Sequence, residues 1–146
     1  MERQIITFKL GNSEYAVDIL SVQEINRISD ITKVPKSPEF IEGVINLRGK
    51  VIPVVNLRKR FGLDYKELDS SSRIVVLLIN GIMIGAIVDS VSEVMRIPSD
   101  AIEPPPPAAK MSSEFISGIG KLKDRLIMLL DIDRLLSKDN LALLTN

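Results

Sequence analysis

The chain has 146 residues with 19 basic and 19 acidic side chains, and this zero formal net charge argues against a general nucleic-acid-binding protein. It contains no cysteine and no histidine, which excludes cysteine- or histidine-ligated zinc, thiol nucleophiles, disulfide frameworks and imidazole acid–base chemistry. The length fits one domain or two very small ones. A unit of about 70 residues is marginal alone, so we expect two such halves to share a core.

The N-terminal residues do not resemble a signal peptide. The most apolar stretch, residues 74–88, is too short to span a bilayer. Asn80-Gly81 interrupts that stretch and predicts a two-residue hairpin turn. We therefore expect a cytoplasmic protein without direct membrane insertion.

The predicted strands are short runs rich in Ile and Val, bounded by Gly, Asn, Ser or Pro. In chain order they cover residues 4–10, 15–17, 44–47, 51–55, 73–79, 82–88, 116–122 and 126–130, with two further short strands near 27–34 and 95–97. Several are apolar on both faces, as expected when a small barrel packs against its twin. Pro53 inside a strand predicts an edge position or a bulge, because proline cannot donate to the ladder.

The helical signals are brief. Residues 21–24 and 90–93 both read Ser-x-x-Glu, which is the pattern of a capping box at the start of a helix. Asn56 and Asp131 are predicted N-caps of short helices over 57–61 and 132–136. A last helix is predicted over 138–144, and residues 62–72 form a polar connection between the halves.

The two halves of the sequence are copies of each other. At an offset of 75, Phe40, Ile41, Gly43, Leu47 and Ile52 match Phe115, Ile116, Gly118, Leu122 and Ile127. At an offset of 69, residues 21–28 match residues 90–97, and we place the six-residue insertion at the proline run 104–107. The duplication predicts an all-β protein of two barrels, each with five short strands and a closing helix, at about 6–62 and 73–136.

The inventory of catalytic groups is nearly empty. Without His and Cys, the nearest approach to an acid–base pair is Asp131 with Asp133. Asp131 matches Asn56 in the repeat, which favours a capping role. No glycine-rich phosphate-binding motif occurs. We expect no catalytic residues, no enzyme activity, no cofactor and no metal site.

The predicted hairpin over 43–56 has Arg48-Gly49 at its tip. Gly49 supplies the positive φ that a tight turn requires. An exposed guanidinium fork there is also suited to a partner's carboxylate or carbonyl groups. The residues alone favour turn chemistry over binding and leave both open.

Residues 8–25, 38–49 and 51–57, which include Asn-Leu-Arg-Gly at 46–49, resemble the CheW family of chemotaxis coupling proteins. The resemblance implies one CheW-like domain over 1–146, built from two five-stranded Src-homology-3-like barrels over a shared hydrophobic core. It also implies a non-enzymatic adaptor, recruited to membrane receptor arrays. Such an adaptor couples the cytoplasmic tips of methyl-accepting chemoreceptors to the regulatory domain of the histidine kinase CheA. Nothing in the chain resembles a kinase core or a receiver domain, which favours a stand-alone coupler.

The resemblance also assigns binding residues. The receptor tip is expected to dock in the groove between the barrels and on the first barrel, through Val22, Glu24, Ile28, Gly43, Asn46 and Arg48. In this set Gly43 lets the receptor helix approach closely, whereas Glu24 has the alternative role of completing its capping box. The kinase is expected to contact chiefly the second barrel, near Ile82, Ile84, Glu93 and Met95.

The alternative function is a small β-barrel that binds single-stranded nucleic acid. Such a module needs a basic groove with stacking aromatic side chains. The chain has no Trp and no net positive charge. Two of its few aromatic residues, Phe40 and Phe115, are repeat mates and are predicted to lie in the core.

Overall fold

The computed structural model describes residues 2–105 and 115–134. Its strands are β1 (Glu2–Leu10), β2 (Ser13–Asp18), β3 (Val22–Arg27), β4 (Ile41–Leu47), β5 (Lys50–Asn56), β6 (Arg73–Ile79), β7 (Ile82–Val88), β8 (Ser90–Pro98), β9 (Ile102–Glu103), β10 (Ile116–Leu122) and β11 (Arg125–Leu130). Helix α1 covers Leu57–Arg60, and single 3₁₀ turns lie at Ile19–Ser21, Ser99–Ala101 and Ile132–Arg134.

The strands form two sheets, and each sheet takes strands from both halves of the chain. The order in one is β3-β6-β7-β5-β4, here called barrel one, and in the other β8-β1-β2-β11-β10-β9, called barrel two. The fold class of two Src-homology-3-like barrels is confirmed, although barrel two has six strands instead of the predicted five because the two-residue strand β9 adds to it. The division into barrels at 6–62 and 73–136 is wrong, because the parallel pairs β5–β7 and β2–β11 exchange the first hairpin of each half.

The duplication is visible in the hydrogen bonding. Each copy has a β-bulge at the same place, between Ile41 and Gly43 and between Ile116 and Gly118. The Asn56 amide donates to the Phe40 carbonyl at 2.7 Å, and the matching bond in the other copy runs between residues 131 and 115 at 2.8 Å. The two copies therefore share backbone geometry as well as sequence.

The core has three parts. One cluster fills the interior of barrel one and includes Ile52, Ile74 and Val76. A second fills barrel two and includes Ile97 and Ile127. The largest is shared between the barrels and contains Phe8, Leu10, Tyr15, Val17, Ile41, Val55, Leu57, Val75, Leu77, Ile79, Ile84, Ala86, Val88, Phe115, Ile116 and Leu130. Strand β6 alternates between the first and third clusters, which explains why its sequence is apolar on both faces.

Both capping-box predictions are wrong, because residues 22–27 and 90–98 are strands. Pairing with β6 and with β1 gives them the extended conformation that outweighs the local Ser-x-x-Glu signal. The strand predicted over 27–34 is also wrong. Strand β3 ends at Arg27, and only an isolated bridge from Thr32 to Val44 follows.

Other local predictions are confirmed. Asn80 and Gly81 have φ of 50° and 81° and close the β6–β7 hairpin. The Asn56 side chain caps α1 by accepting from the Lys59 amide at 3.2 Å, and Asp131 caps only a 3₁₀ turn. Pro53 lies in an interior strand, but β7 pairs with β5 only from residue 54, so proline faces a locally open edge. The helix predicted over 138–144 lies outside the described residues.

Candidate functional site

The tip of the β4–β5 hairpin is a two-residue turn. Arg48 and Gly49 have φ of 50° and 85°, both in the left-handed region. The Asn46 side chain accepts a 2.8 Å hydrogen bond from the Gly49 amide and fixes the turn. The turn role predicted for Gly49 is confirmed, and Asn46 supports the same turn.

The Arg48 guanidinium reaches from this tip to the neighbouring edge strand β3. Its Nη1 donates to Oε1 of Glu24 at 3.2 Å, and its Nη2 donates to Oε2 of the same carboxylate. Asn26 donates to Glu24 Oε1 at 2.8 Å. These hydrogen bonds, from Arg48 first and then Asn26, lower the pKa of Glu24. Glu24 therefore holds a cation, and the alternative in which it completes a capping box is wrong.

Exposure differs sharply across this pair. The Arg48 side chain is 72% exposed, whereas that of Glu24 is 24% exposed. A carboxylate can occupy only one side of the planar guanidinium fork, so the remaining donors of Arg48 face solvent. The geometry leaves this guanidinium able to donate to a second acceptor group while it stays bound to Glu24.

The other residues assigned to receptor binding have different environments. Val22 is half-buried against the shared core, and Ile28 is half-buried against the interior of barrel one. Gly43 is buried with φ of 149°, and a Cβ built on it would lie 2.7 Å from the Thr32 carbonyl carbon. The space beside Gly43 is thus filled by the chain's own backbone, so the fold itself requires glycine there, and the receptor contact of Gly43 stays a prediction.

A cleft of about 410 Å³ opens beside the shared core, lined by side chains that include Tyr15, Phe61, Phe115 and Met128. The aromatic rings of the first three follow one another, Phe61 stacked on Tyr15 and tilted against Phe115, with centroids 5.7 Å and 5.4 Å apart. Arg60 places its guanidinium 4.4 Å from the Phe115 ring centroid and 4.8 Å from that of Phe40. None of the residues assigned to the receptor lines this cleft.

The residues assigned to the kinase are mostly packed inward. Ile84 is 2% exposed in the shared core, so its assignment to a binding surface is wrong. Ile82 and Met95 are half-buried against core clusters, and Glu93 is exposed. Among the described strands of barrel two, the exposed large apolar side chains are Val94 at 53% and Leu126 at 61%. Sequence periodicity could not identify Leu126, because β11 is apolar on both faces, and Val94 is an apolar residue in the mostly polar strand β8.

Two buried or half-buried ion pairs were also missed by sequence reasoning. Arg58 donates to both carboxylate oxygens of Asp89 at 2.9 and 2.6 Å, and Asp89 also accepts from the Gly11 amide at 2.7 Å. Arg125 donates to both oxygens of Glu14 at 3.0 and 2.7 Å. The partners are 31 and 111 residues apart in sequence, so no local motif signals either pair.

Within residues 2–105 and 115–134, no cluster of three or more acidic side chains is placed to hold a metal ion. The helices of that same part of the chain include none that is long and apolar enough to cross a membrane.

Comparison with known proteins identifies the family. The model of the CheW-like domain matches residues 4–140. The chain belongs to the CheW-like family. It is 37% identical over 145 residues to the chemotaxis protein CheW of Klebsiella aerogenes, covering 99% of this chain and 87% of that protein. It is 37% identical over 136 residues to the CheW of Helicobacter pylori, covering 93% and 82%.

A solved structure agrees with this CheW-like assignment. The crystal structure of the scaffolding protein TtCheW from Thermoanaerobacter tengcongensis superposes with a TM-score of 0.89 and 42% sequence identity. The match covers 96% of each chain. The CheW-like fold therefore extends over nearly the whole chain, and the relatives named here are chemotaxis proteins, none of them a nucleic-acid-binding module.

Proposed function

We propose that this CheW-like chain is a chemotaxis adaptor that binds the cytoplasmic tip of a methyl-accepting chemoreceptor through barrel one and the regulatory domain of CheA through barrel two. It acts by binding alone and carries out no reaction of its own. Receptor arrays then recruit it to the membrane surface from the cytoplasm.

The observation that carries the receptor assignment is the Glu24–Arg48 pair at the tip of the β4–β5 hairpin. The carboxylate fixes the guanidinium in one orientation, so little side-chain entropy is lost when a partner's acceptor binds. Ile25 on β3 and Val51 on β5, the strand that follows the Arg48 turn, are exposed, at 38% and 71%. A charged anchor beside exposed apolar side chains suits an amphipathic helix of a receptor tip.

The kinase assignment rests on the exposed apolar side chains of barrel two, Val94 and Leu126. They occupy the repeat positions of Ile25 and Val51, so each barrel presents apolar side chains at equivalent places. Glu93 and Met95 on β8 remain candidate rim contacts, whereas Ile82 lies on β7 of barrel one and falls outside this surface. Exposed apolar residues with a polar rim are the usual composition of a transient protein interface.

The first test is titration of the purified protein with a CheA regulatory domain, and separately with a soluble receptor-tip fragment. Saturable binding to each, with both bound in one ternary complex, supports the adaptor function. Mutual exclusion of the two partners contradicts separate surfaces on the two barrels. Binding to neither contradicts the proposal.

A further inference from the structure

Barrel two carries its own carboxylate–guanidinium contact at the equivalent of the Glu24–Arg48 site. Glu93 is the repeat mate of Glu24, and it accepts a 3.4 Å hydrogen bond from Arg125 at the start of β11. Arg48 occupies the turn of its hairpin in barrel one, and its repeat mate in the corresponding turn of barrel two is Lys123, with φ of 48°. In barrel two, the arginine that contacts the repeat-mate glutamate thus lies two residues further along the hairpin than the position equivalent to Arg48.

The second barrel adds a carboxylate that the first does not have. Glu14 accepts from Nε and Nη2 of Arg125 at 3.0 and 2.7 Å and occupies one side of the fork. With Glu93 on Nη1, two carboxylates hold this single guanidinium. Hydrogen bonding to Glu14, the largest cause, raises the pKa of Arg125.

Strand register identifies the barrel-one equivalent of Glu14. Ala16 pairs with Leu129 in barrel two as Gly85 pairs with Val54 in barrel one, so the two hairpins superpose at an offset of 69. Two residues before these positions stand Glu14 and Met83. An apolar, half-buried methionine therefore replaces the second carboxylate in barrel one.

The exposure of the two arginines differs in line with the replacement of Glu14 by Met83. The Arg125 side chain is 35% exposed, half the 72% of Arg48, and Glu14 is 14% exposed beneath it. Arg125 uses three of its five N–H donors on the two carboxylates, whereas Arg48 uses two, so Arg125 has both less exposed surface and fewer donors left for a partner. The repeat thus offers two similar hairpins, and the arginine of barrel one is the more accessible of the two.

We propose that Glu14 is a specificity-determining residue, which sequesters Arg125 so that an acidic receptor-tip partner finds an accessible guanidinium on barrel one alone. This rests on the proposed receptor-binding function of Arg48. Without Glu14, the Glu93–Arg125 contact becomes a second site that competes for the same partner. This second site lies on barrel two, the barrel assigned to the kinase.

The binding test compares the wild type with Glu14→Gln, which keeps the side-chain shape, and Glu14→Met, which installs the residue of barrel one. Calorimetric titration with the receptor-tip fragment is expected to give one site per wild-type chain and two per variant chain. Freeing the charge-assisted donors should tighten binding at barrel two by about tenfold to a hundredfold. The NMR methyl shifts of Leu126 report occupation of the second site directly.

The matched control is Glu103→Gln. It removes an exposed carboxylate of barrel two whose ion-pair partner is Lys121, at 3.9 Å, and not Arg125.

A second measurement is independent of the receptor. Phenylglyoxal modification, followed by mass spectrometry of the peptides, is expected to label Arg48 faster than Arg125 in the wild type. In both Glu14 variants Arg125 should gain reactivity severalfold while Arg48 stays unchanged, with thermal unfolding checking that each variant is folded. Unchanged Arg125 reactivity, or a single receptor site in folded variants, overturns the sequestration. Failure of the wild type to bind any receptor fragment contradicts the proposed function instead, and the labelling result then decides the role of Glu14.

Discussion

The Glu24 carboxylate on β3 holds the Arg48 guanidinium at the tip of the β4–β5 hairpin, which joins the two edge strands of barrel one. These residues are 24 positions apart. The arginine is accordingly part of a fixed pair and not a freely solvated side chain. Reversing its charge would place two carboxylates together, so Arg48→Glu mixes a structural effect with any loss of partner contact.

Neutral substitution separates the two effects. Arg48→Gln should weaken binding of the receptor-tip fragment by about tenfold to a hundredfold, because charge-assisted hydrogen bonds to the partner are lost. Arg48→Lys keeps the charge but lacks the planar fork, and should restore only part of the affinity. Isothermal titration measures both.

The matched control for Arg48 is Lys50→Gln, which removes the same charge from the same exposed hairpin. It should leave the receptor affinity within about twofold of the wild type, apart from a screened long-range term that disappears at higher salt. Equal losses for the Arg48 and Lys50 variants would show that the receptor senses only net charge.

Gly43 and its repeat mate Gly118 predict unequal costs for the same substitution. A Cβ on Gly43 meets the backbone of Thr32 at a φ of 149°, whereas a Cβ on Gly118 meets the side chain of Ile102 at 2.8 Å. The side chain can rotate and the bridged backbone cannot. Gly43→Ala should therefore lower the free energy of unfolding by about 2–4 kcal/mol, and Gly118→Ala by less.

Urea denaturation checks the glycine prediction. The control is Gly49→Ala, at a position with open space around it and a φ of 85°, where only the backbone preference is lost, at about 1 kcal/mol. Wild-type stability of Gly43→Ala together with lost receptor binding would instead assign Gly43 to the docking surface.

The sequence predicted what is local or repeated. The Asn80-Gly81 turn, the Asn56 cap and the duplication are encoded by neighbouring residues or by two copies of one pattern, and all three are confirmed. The exchange of hairpins between barrels depends on parallel pairing of β5 with β7 and of β2 with β11, for which a single sequence carries no signal. The helix start predicted from residues 21–24 is wrong because the pairing of a whole strand outweighs the local preference of four residues.

Of the candidate site, the sequence located the hairpin tip but not its chemistry. Arg48 and Glu24 were both selected, yet their contact links separate strands and only the barrel closure reveals it. Ile84 was misassigned because an isoleucine in a strand that is apolar on both faces has the same pattern whether it faces solvent or the shared core. Leu126 was missed for the same reason.

Asp89 predicts acid sensitivity. The Arg58 guanidinium, and then the Gly11 amide, hold the pKa of Asp89 below its usual range. A carboxyl group whose folded pKa is depressed stabilises the fold above its unfolded pKa of about 3.9, and this contribution is lost as the pH falls through the folded value. Asp89→Asn should lower the unfolding free energy at pH 7 by about 1.5–3 kcal/mol, and the difference from wild type should shrink below about pH 4.

Chemical denaturation between pH 7 and pH 3 measures this difference. Asp100→Asn is the control, since it removes the same charge from an exposed position on a 3₁₀ turn. A constant gap between wild type and Asp89→Asn across the whole range would mean that the carboxylate charge contributes nothing and that only side-chain packing is altered.

The two apolar residues Leu126 and Ile84 should respond in opposite ways. Leu126→Ser, at a 61% exposed position, should change the unfolding free energy by less than about 0.5 kcal/mol and weaken binding of the CheA regulatory domain by about tenfold. Ile84→Ala removes a buried side chain from the shared core and should cost about 2–5 kcal/mol of stability. The control is Val51→Ser, the repeat mate of Leu126 on barrel one, which should leave kinase affinity unchanged. If Val51→Ser and Leu126→Ser weaken kinase binding equally, the kinase contacts both barrels and its assignment to barrel two is wrong.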